Sequence, residues 1–207
     1  FSTDNESREG FGPYTPGFKI IKYNNIGSLK DAITKNTAAL LVEPIQGEAG
    51  IIIPDIEWLP EVRKICTENN ILLILDEIQS GLGRTGKMFA FEHSSIKPDG
   101  LILGKALGGG LLPISCFLST SEVMQWFVPG SHGSTFGGYP LAAAIGKRSL
   151  EVIEEEKLVE NSNQQGSYFL AELKKIKSPI LKQIRGKGLW IGVEIDTKII
   201  DGRNICK

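Results

Sequence analysis

The sequence has few of the residues that usually bind metals or form disulfides. Its 207 residues include two histidines, His93 and His132, and three cysteines, Cys66, Cys116 and Cys206. Neither histidine has a second histidine or a cysteine at the spacing of zinc ligands, and three widely spaced cysteines do not define a disulfide framework. We therefore expect no metal site, and we expect reduced thiols, two of them on the buried faces of a helix and a strand.

Strong charge bias and long apolar runs are also absent. The chain has 23 basic and 24 acidic residues, interspersed, which gives a net charge of -1. This balance favours neither nucleic acid nor an anionic membrane surface as a partner. The longest apolar runs, such as 71–75, are far too short to cross a bilayer. Residues 1–6 contain no basic leader followed by an apolar run and no initiator methionine, so we expect the chain to begin in mid-protein rather than with a secretory signal.

What the sequence does contain is an alternation of short apolar strands with helical patterns. Helices are predicted at 28–36, opened by a capping box at Ser28, and at 57–69. Strands are predicted at 38–43, 71–75, 101–103 and 114–118. Because these runs are continuously apolar, they indicate a mostly parallel sheet with helices on both faces. The fold class is therefore α/β.

The pattern changes at about Gly138. Two long helical stretches, at 140–157 and 158–177, are followed by a hairpin-like pair of strands at 181–186 and 188–195. We expect residues 1–145 to form part of a large domain, and residues 146–207 to form connecting helices and the beginning of a smaller domain.

The most informative residues are Asp76 and Lys105, because each follows a short apolar strand. Ligands of open α/β sheets bind beyond the carboxyl ends of parallel strands, so the acid and the amine can converge on one ligand. A lysine in such a crevice can form a Schiff base, although most lysines at the start of a loop are only solvated. An acid buried there needs a cation or a protonated ring nitrogen to offset its desolvation, although it can also cap the following turn.

Three other patterns are less specific. Residues Gly81–Gly86 match the dinucleotide fingerprint G-x-G-x-x-G, but they begin too far past the strand, so a nicotinamide cofactor is disfavoured. Residues 131–138 group hydroxyls and glycines before a helix, which suits phosphate binding but is also typical of an ordinary loop. Glu43 and Glu48 can each be a surface acid or an acid that faces the substrate.

Together these segments resemble the class III aminotransferases of fold type I, which use pyridoxal 5'-phosphate. The residues that carry the resemblance lie at 10–18, 42–50, 75–79, 83–86, 103–107, 132–135 and 185–188. The strand-Asp-Glu segment, the Arg-Thr-Gly segment and the Gly-Lys-Ala segment form a specific combination. Segments 10–18 and 46–49 are most similar to members that transfer the terminal amino group of ornithine to 2-oxoglutarate. Members that act on acetylornithine or 4-aminobutyrate remain alternatives.

The resemblance implies a role for each candidate residue. Lys105 would carry the cofactor and shuttle the proton, Asp76 would keep the pyridine nitrogen protonated, Gln79 would hydrogen-bond the ring hydroxyl and Ile78 would pack on the ring. Glu48 would be a gate carboxylate that pairs with an arginine when ornithine binds. The remaining pair of cofactor contacts is Ser134 and Thr135, which would bind the cofactor phosphate of the neighbouring subunit.

The resemblance also sets expectations for the whole protein. We expect amino-acid and 2-oxo-acid substrates, a homodimer or larger assembly with a shared site, and a location in the cytoplasm or the mitochondrial matrix. Tyr139 and Ser131 stand where the family usually has asparagine and glutamate. Parts of the phosphate and substrate sites would lie outside this chain, so we expect the chain alone to be inactive. A non-catalytic interaction piece is the alternative from a different functional class.

Overall fold

The computed structural model describes residues 2–206, which form two compact units, one ending at Thr37 and the other beginning at Ala38. The first unit contains one short helix, α1 (Ile26–Ala32). Its N-cap is Asn25, whose side chain accepts a hydrogen bond of 2.7 Å from the backbone N–H of Ser28. The predicted cap at Ser28 is therefore wrong, because Asn25 supplies the side-chain acceptor and the helix begins earlier.

The second unit is built on a four-stranded sheet, in which the strands are adjacent in sequence order. The strands are β1 (Ala39–Val42), β2 (Leu72–Asp76), β3 (Gly100–Leu103) and β4 (Cys116–Ser119). The first three strands are parallel, as the α/β pattern predicted, but β4 is antiparallel to β3. The reason lies in the connection between them, which contains a short 3₁₀ helix at Lys105–Gly108 instead of the long helix of a parallel crossover.

The core of this unit lies between the sheet and helix α2 (Trp58–Glu68). Leu73 and Leu75 of β2 are fully buried, as is Val62 of α2. The continuous apolar run of β1 predicted that both faces of this strand are buried. Leu41 of β1 is 50% exposed, however, so within the described residues one face of this edge strand is not covered.

An ion pair fixes the amino-terminal ends of the strands to α2. Asp99 Oδ2 accepts a 2.6 Å hydrogen bond from Arg63 Nη1 and a 2.7 Å hydrogen bond from the backbone N–H of Leu73. The carboxylate therefore joins a helix, the start of β2 and the residue before β3. This contact holds the two central strands in register, so that their carboxyl ends lie at the same edge of the sheet.

The helices and hairpin predicted after Gly138 are present. They are α4 (Pro140–Glu155), α5 (Leu158–Leu173), β5 (Leu181–Lys187) and β6 (Trp190–Ile195), with the short helices α3 (Ser121–Met124) and α6 (Gly202–Ile205) on either side. Strands β5 and β6 form a separate antiparallel sheet. The predicted domain boundary at residue 145 stays a prediction.

The described residues contain neither a candidate membrane-spanning helix nor a candidate metal-binding cluster. No helix within 2–206 has the length and hydropathy needed to cross a membrane. Within the same range, no group of three or more His, Cys, Asp or Glu side chains is arranged to hold a metal ion.

Of the three thiols, Cys66 is buried, Cys116 is half-buried and Cys206 is exposed. Burial raises the pKa of the Cys66 and Cys116 thiols, as is typical of unreactive cysteines.

Candidate active site

Lys105 is separated from the end of β3 by one residue and lies at the first position of the 3₁₀ helix. Its backbone has a φ of 42°, a left-handed conformation that is uncommon for residues other than glycine. Gly104 precedes it, and a Cβ atom there would lie 3.2 Å from Cγ2 of Ile78. The absence of a side chain at Gly104 thus lets the end of β3 approach the segment that follows β2. The Lys105 side chain is 56% exposed.

Asp76 is the last residue of β2, where it is paired with Ile102 of the neighbouring parallel strand. This register places Asp76 and Lys105 at the same edge of the sheet, as the sequence predicted. The half-buried Asp76 accepts a 3.0 Å hydrogen bond at Oδ1 from the backbone N–H of Ile78. That bond fixes the orientation of the carboxylate.

A loop after β1 brings Glu48 to Lys105. Oε1 of Glu48 accepts a 2.9 Å hydrogen bond from Gln79 Nε2 and lies 3.8 Å from Lys105 Nζ. Both contacts use the same carboxylate oxygen, and the Glu48 side chain is 87% exposed. The structure therefore brings together three of the predicted site residues, one from each of three sheet connections.

Glu43 binds the backbone of the loop that carries Glu48. Its Oε2 accepts a 2.9 Å hydrogen bond from the backbone N–H of Gly47. Burial raises the pKa of Glu43, the N–H of Gly47 opposes that shift, and the nearby acids Asp76 and Glu48 add to it. Glu43 thus shapes the loop, whereas Glu48 faces Lys105.

Glu77 is an acid whose surroundings the sequence did not reveal. It is 1% exposed, and its oxygens accept hydrogen bonds of 2.6 Å and 2.9 Å from the backbone N–H groups of Ala90 and Phe91. Burial raises its pKa to about 7, against the effect of those two N–H groups. Its position next to Asp76 was the only sequence signal, and it does not distinguish a buried carboxyl from an exposed one.

The glycine-rich segment 81–86 forms turns, and the next regular element is a 3₁₀ helix at Ala90–Ser94. The segment therefore lacks the helix start that a dinucleotide fingerprint needs. Thr85 is buried within it, and both its backbone oxygen and its hydroxyl lie within hydrogen-bond distance of His93 Nε2. Burial and the nearby Lys187 lower the pKa of His93.

Ser134 and Thr135 lie in an exposed loop between α3 and α4. The hydroxyl of Ser134 accepts a 3.0 Å hydrogen bond from the backbone N–H of Gly137, a contact inside the loop. Among the described residues, neither side chain hydrogen-bonds Lys105, Glu48 or Gln79. Their predicted role thus stays a prediction that involves a second subunit.

The residues at the sheet edge fit pyridoxal 5'-phosphate by their chemistry. Lys105 would offer a primary amine to the aldehyde of the cofactor, and Asp76 would offer an oriented carboxylate to its protonated ring nitrogen. Because Gly104 approaches Ile78 closely, the apolar side chain of Ile78 lies beside the end of β3, at the same sheet edge as Asp76 and Lys105. A lysine and a carboxylate at the carboxyl ends of adjacent parallel strands of an α/β fold are the arrangement expected of the class of proteins that bind a carbonyl cofactor through lysine.

The comparisons with known proteins identify the family. The model for class-III aminotransferases matches residues 1–207, and the chain belongs to that family. It is 57% identical over 194 residues to an ornithine aminotransferase of Bacillus subtilis, which covers 94% of this chain and 48% of the relative. The chain spans about half the length of the curated relatives it matches.

Solved structures give the same result for the fold. The ornithine aminotransferase of Toxoplasma gondii, crystallized in the presence of oxidized glutathione and with partial occupancy of PLP, superposes with a TM-score of 0.96 at 43% identity, over 98% of this chain and 49% of that one. An acetylornithine aminotransferase of Elizabethkingia anophelis superposes with a TM-score of 0.84 at 45% identity, over 88% of this chain and 49% of that one. The predicted family and the fold type I architecture are confirmed.

Proposed function

We propose that the protein to which this chain belongs transfers the terminal amino group of ornithine to 2-oxoglutarate, with pyridoxal 5'-phosphate as cofactor. The observation that carries the proposal is the convergence of Glu48, Gln79 and Lys105 at the sheet edge that also carries Asp76. The similarity to ornithine aminotransferases supports the choice of substrate. Expected products are glutamate semialdehyde and glutamate.

When bound, the cofactor would supply an electron sink for the carbanion that remains after the substrate loses a proton. The contribution of Asp76 would be to hold a proton at the ring nitrogen, because an anion beside that nitrogen favours its charged form. The hydrogen bond from the Ile78 N–H keeps Oδ1 of Asp76 in place. Gln79 and Ile78 would bind the ring hydroxyl and one ring face.

Lys105 would take the proton from the substrate carbon and return it to the cofactor, a task that needs a neutral amine. Glu48 Oε1 lies 3.8 Å from the Lys105 amine. A substrate-side cation that draws Glu48 away would therefore leave more space beside that amine. Glu48 is suited to that movement because one oxygen carries both of its contacts and the side chain is exposed.

We further propose that Glu48 masks an arginine while ornithine binds through its terminal amine, and uncovers it for the carboxylate of 2-oxoglutarate. Among the side chains that the structure describes, Glu48 contacts Gln79 and Lys105. We expect the arginine to come from another part of the assembled enzyme. Such a switch would allow one pocket to accept both a cationic and an anionic side chain.

The shared site also requires a second subunit. Ser134 and Thr135, whose hydroxyl groups lie on an exposed loop, would bind the cofactor phosphate of the neighbouring subunit, which makes the functional unit a dimer. Beside them Phe136 is 76% exposed, which leaves an apolar side chain available to a partner surface. We place the enzyme in the cytoplasm or the mitochondrial matrix, in line with its proposed metabolic substrates.

The proposal can be tested with protein expressed from its complete reading frame. Incubation with pyridoxal 5'-phosphate, ornithine and 2-oxoglutarate should yield glutamate and glutamate semialdehyde, and borohydride should leave the cofactor attached at Lys105. Lys105→Ala should abolish both results, whereas the exposed Lys147→Ala on α4 should change neither. Turnover of N-acetylornithine with none of ornithine would favour the alternative that the Elizabethkingia anophelis structure suggests.

A further inference from the structure

The loop that carries Glu48 is held in an unusual backbone conformation. It is closed by an antiparallel bridge between Gln46 and Ile52, and its second half contains Gly50 at φ 107° and Ile51 at φ 55°. A β-branched residue in the left-handed region is a true outlier, and its conformation is energetically unfavourable. Such a conformation persists only where surrounding contacts determine it.

Those contacts come from Arg185 on β5, more than 130 residues away in the sequence. Its Nη2 donates a 2.7 Å hydrogen bond to the carbonyl of Gly50, and its Nε lies 3.1 Å and 3.0 Å from the carbonyls of Gly50 and Ile51. The Arg185 side chain is 15% exposed. The guanidinium therefore binds the backbone oxygens of the two residues that have the strained conformation.

Arg185 is itself held in place from the other side. Its Nη1 donates 2.7 Å and 2.9 Å hydrogen bonds to Glu194 of β6 and Gln183 of β5. A planar fork can bind two carbonyls and a carboxylate at once, which a lysine ammonium on a flexible stem cannot reproduce.

Strand β6 completes the support of the loop. A Cβ atom on Gly192 would lie 3.1 Å from the Gly50 carbonyl oxygen, and a Cβ atom on Gly47 would lie 2.9 Å from both the Trp190 ring and the Gln79 side chain. The hairpin β5–β6 thus packs directly against both halves of the loop, leaving Glu48 at its tip. Gln79, which hydrogen-bonds Glu48, lies in the same close-packed group.

We propose that Arg185 is a positioning residue for Glu48. By binding the carbonyls of Gly50 and Ile51, it fixes the loop so that the Glu48 carboxylate stands beside Lys105 and Gln79, and it thereby sets the affinity for ornithine. This inference rests on the proposed function for its kinetic consequence, but its structural consequence is independent of any activity.

The structural consequence is tested by hydrogen exchange on cofactor-free protein expressed from its complete reading frame. Arg185→Lys should increase exchange of the amides in 46–52 on the order of tenfold, because two carbonyls lose a charged, bidentate donor. Glu194→Gln, which keeps Arg185 but weakens its support, should change the same amides in the same direction by less. The matched control is Arg148→Lys, since Arg148 binds Glu151 and Glu155 on the surface of α4 and does not contact the loop. Unchanged exchange in both test variants would overturn the proposal.

The kinetic consequence separates positioning from general structural support. Arg185→Lys should raise the KM for ornithine on the order of tenfold with a smaller effect on kcat, since misplacement of a binding group can cost up to a hundredfold. In a Glu48→Gln background the same change should have an effect of no more than about twofold, because two residues that act as one unit are not additive. An equal loss in both backgrounds would overturn the proposal. If the unaltered protein does not use ornithine, the proposed function fails, and the exchange experiment still decides the role of Arg185.

Discussion

Asp76 and Glu77 are neighbours in the sequence but lie in opposite surroundings. Asp76 is half-buried at the same sheet edge as Lys105, whereas Glu77 is enclosed and binds the first two backbone N–H groups of the 3₁₀ helix Ala90–Ser94. Successive residues at the end of a strand point in opposite directions. Asp76 can therefore face the proposed cofactor site while Glu77 fixes the 3₁₀ helix Ala90–Ser94. The pair therefore divides into an acid at the proposed cofactor site and a buried structural acid.

The raised pKa of Glu77 predicts a specific pH dependence of stability. Its pKa is about 7 in the folded protein, against 4.5 without burial. Between those values the folded state binds more protons than the unfolded state, so the free energy of unfolding should fall as pH rises from about 4.5 to 7 and then level off. The total decrease in the free energy of unfolding is on the order of 3 kcal/mol.

Glu77→Gln tests this prediction because glutamine does not titrate. Denaturant unfolding of the protein and the variant, measured at intervals from pH 5 to pH 8, should show that the variant loses this decrease. Glu154→Gln, a change of an exposed acid on α4, should retain the decrease and serves as control. A decrease of the same size in the Glu77 variant would show that other groups cause it.

The residues that could be predicted from sequence are those whose meaning depends on their place along a strand. Lys105 and Asp76 each follow an apolar run, and the parallel order of β2 and β3 then places them at one edge. Arg185 gave no such signal, because its partners Gly50 and Ile51 are 135 and 134 residues away. Glu77 also depends on partners beyond its own strand, at Ala90 and Phe91.

The elements were predicted where a local signal determines them. The apolar faces of α2, α4 and α5 and the hairpin β5–β6 follow from periodicity and turn residues. The direction of β4 does not, because an apolar run of this kind pairs equally well in either direction. The start of α1 was displaced because both Asn25 and Ser28 are good caps, and only the folded backbone shows that the Asn25 side chain is the acceptor.

Close packing between α5 and the β5–β6 turn is the element-scale feature that admits a direct test. A Cβ atom on Gly166 of α5 would lie 2.0 Å from the carbonyl carbon of Gly188, and one on Gly188 would lie 2.4 Å from that of Thr85. Ser162 adds hydrogen bonds of 3.0 Å to the Arg84 carbonyl and 3.2 Å from the Leu189 N–H. The turn is thus fixed between α5 and the glycine-rich segment 81–86.

We expect Gly166→Ala to lower the free energy of unfolding by about 1–3 kcal/mol or more, although alanine favours a helix over glycine. The cause is overlap with backbone atoms, which cannot rotate away as a side chain can. Gly133→Ala is the matched control, because a Cβ atom there meets nothing within 4 Å. Denaturant unfolding should show a lower midpoint for the Gly166 variant only, and equal midpoints would mean that α5 and the turn can separate at little cost.

At the scale of the whole molecule, the described chain presents several large apolar side chains between β4 and α4. Trp126 is 78% exposed and Phe127 is 54% exposed, and Phe136 lies in the same connection as Ser134 and Thr135. Exposed aromatic residues grouped in one segment are typical of a surface that a partner covers. This grouping supports the proposal that the loop of Ser134 and Thr135 completes the site of a second copy.

Mixed dimers test whether the loop of Ser134 and Thr135 completes the site of the neighbouring subunit. Let one variant carry Lys105→Ala and another carry Ser134→Ala with Thr135→Val, each expressed from its complete reading frame and each nearly inactive alone. In a mixed dimer, the site with an intact Lys105 would receive intact Ser134 and Thr135 from its neighbour. Random association of equal amounts makes half of the dimers mixed with one intact site each, so activity should recover to about a quarter of the unaltered level.

The opposite arrangement gives a different result. If Ser134 and Thr135 served the site of their own subunit, every site in the mixed dimer would lack either the lysine or the hydroxyl groups, and mixing would restore nothing. The measurement is ornithine turnover after dissociation and reassociation of the two variants together, with each variant treated alone as control. Recovery near a quarter would therefore locate the phosphate-binding loop across the subunit boundary, and no recovery in dimers shown to be mixed would place it within one subunit.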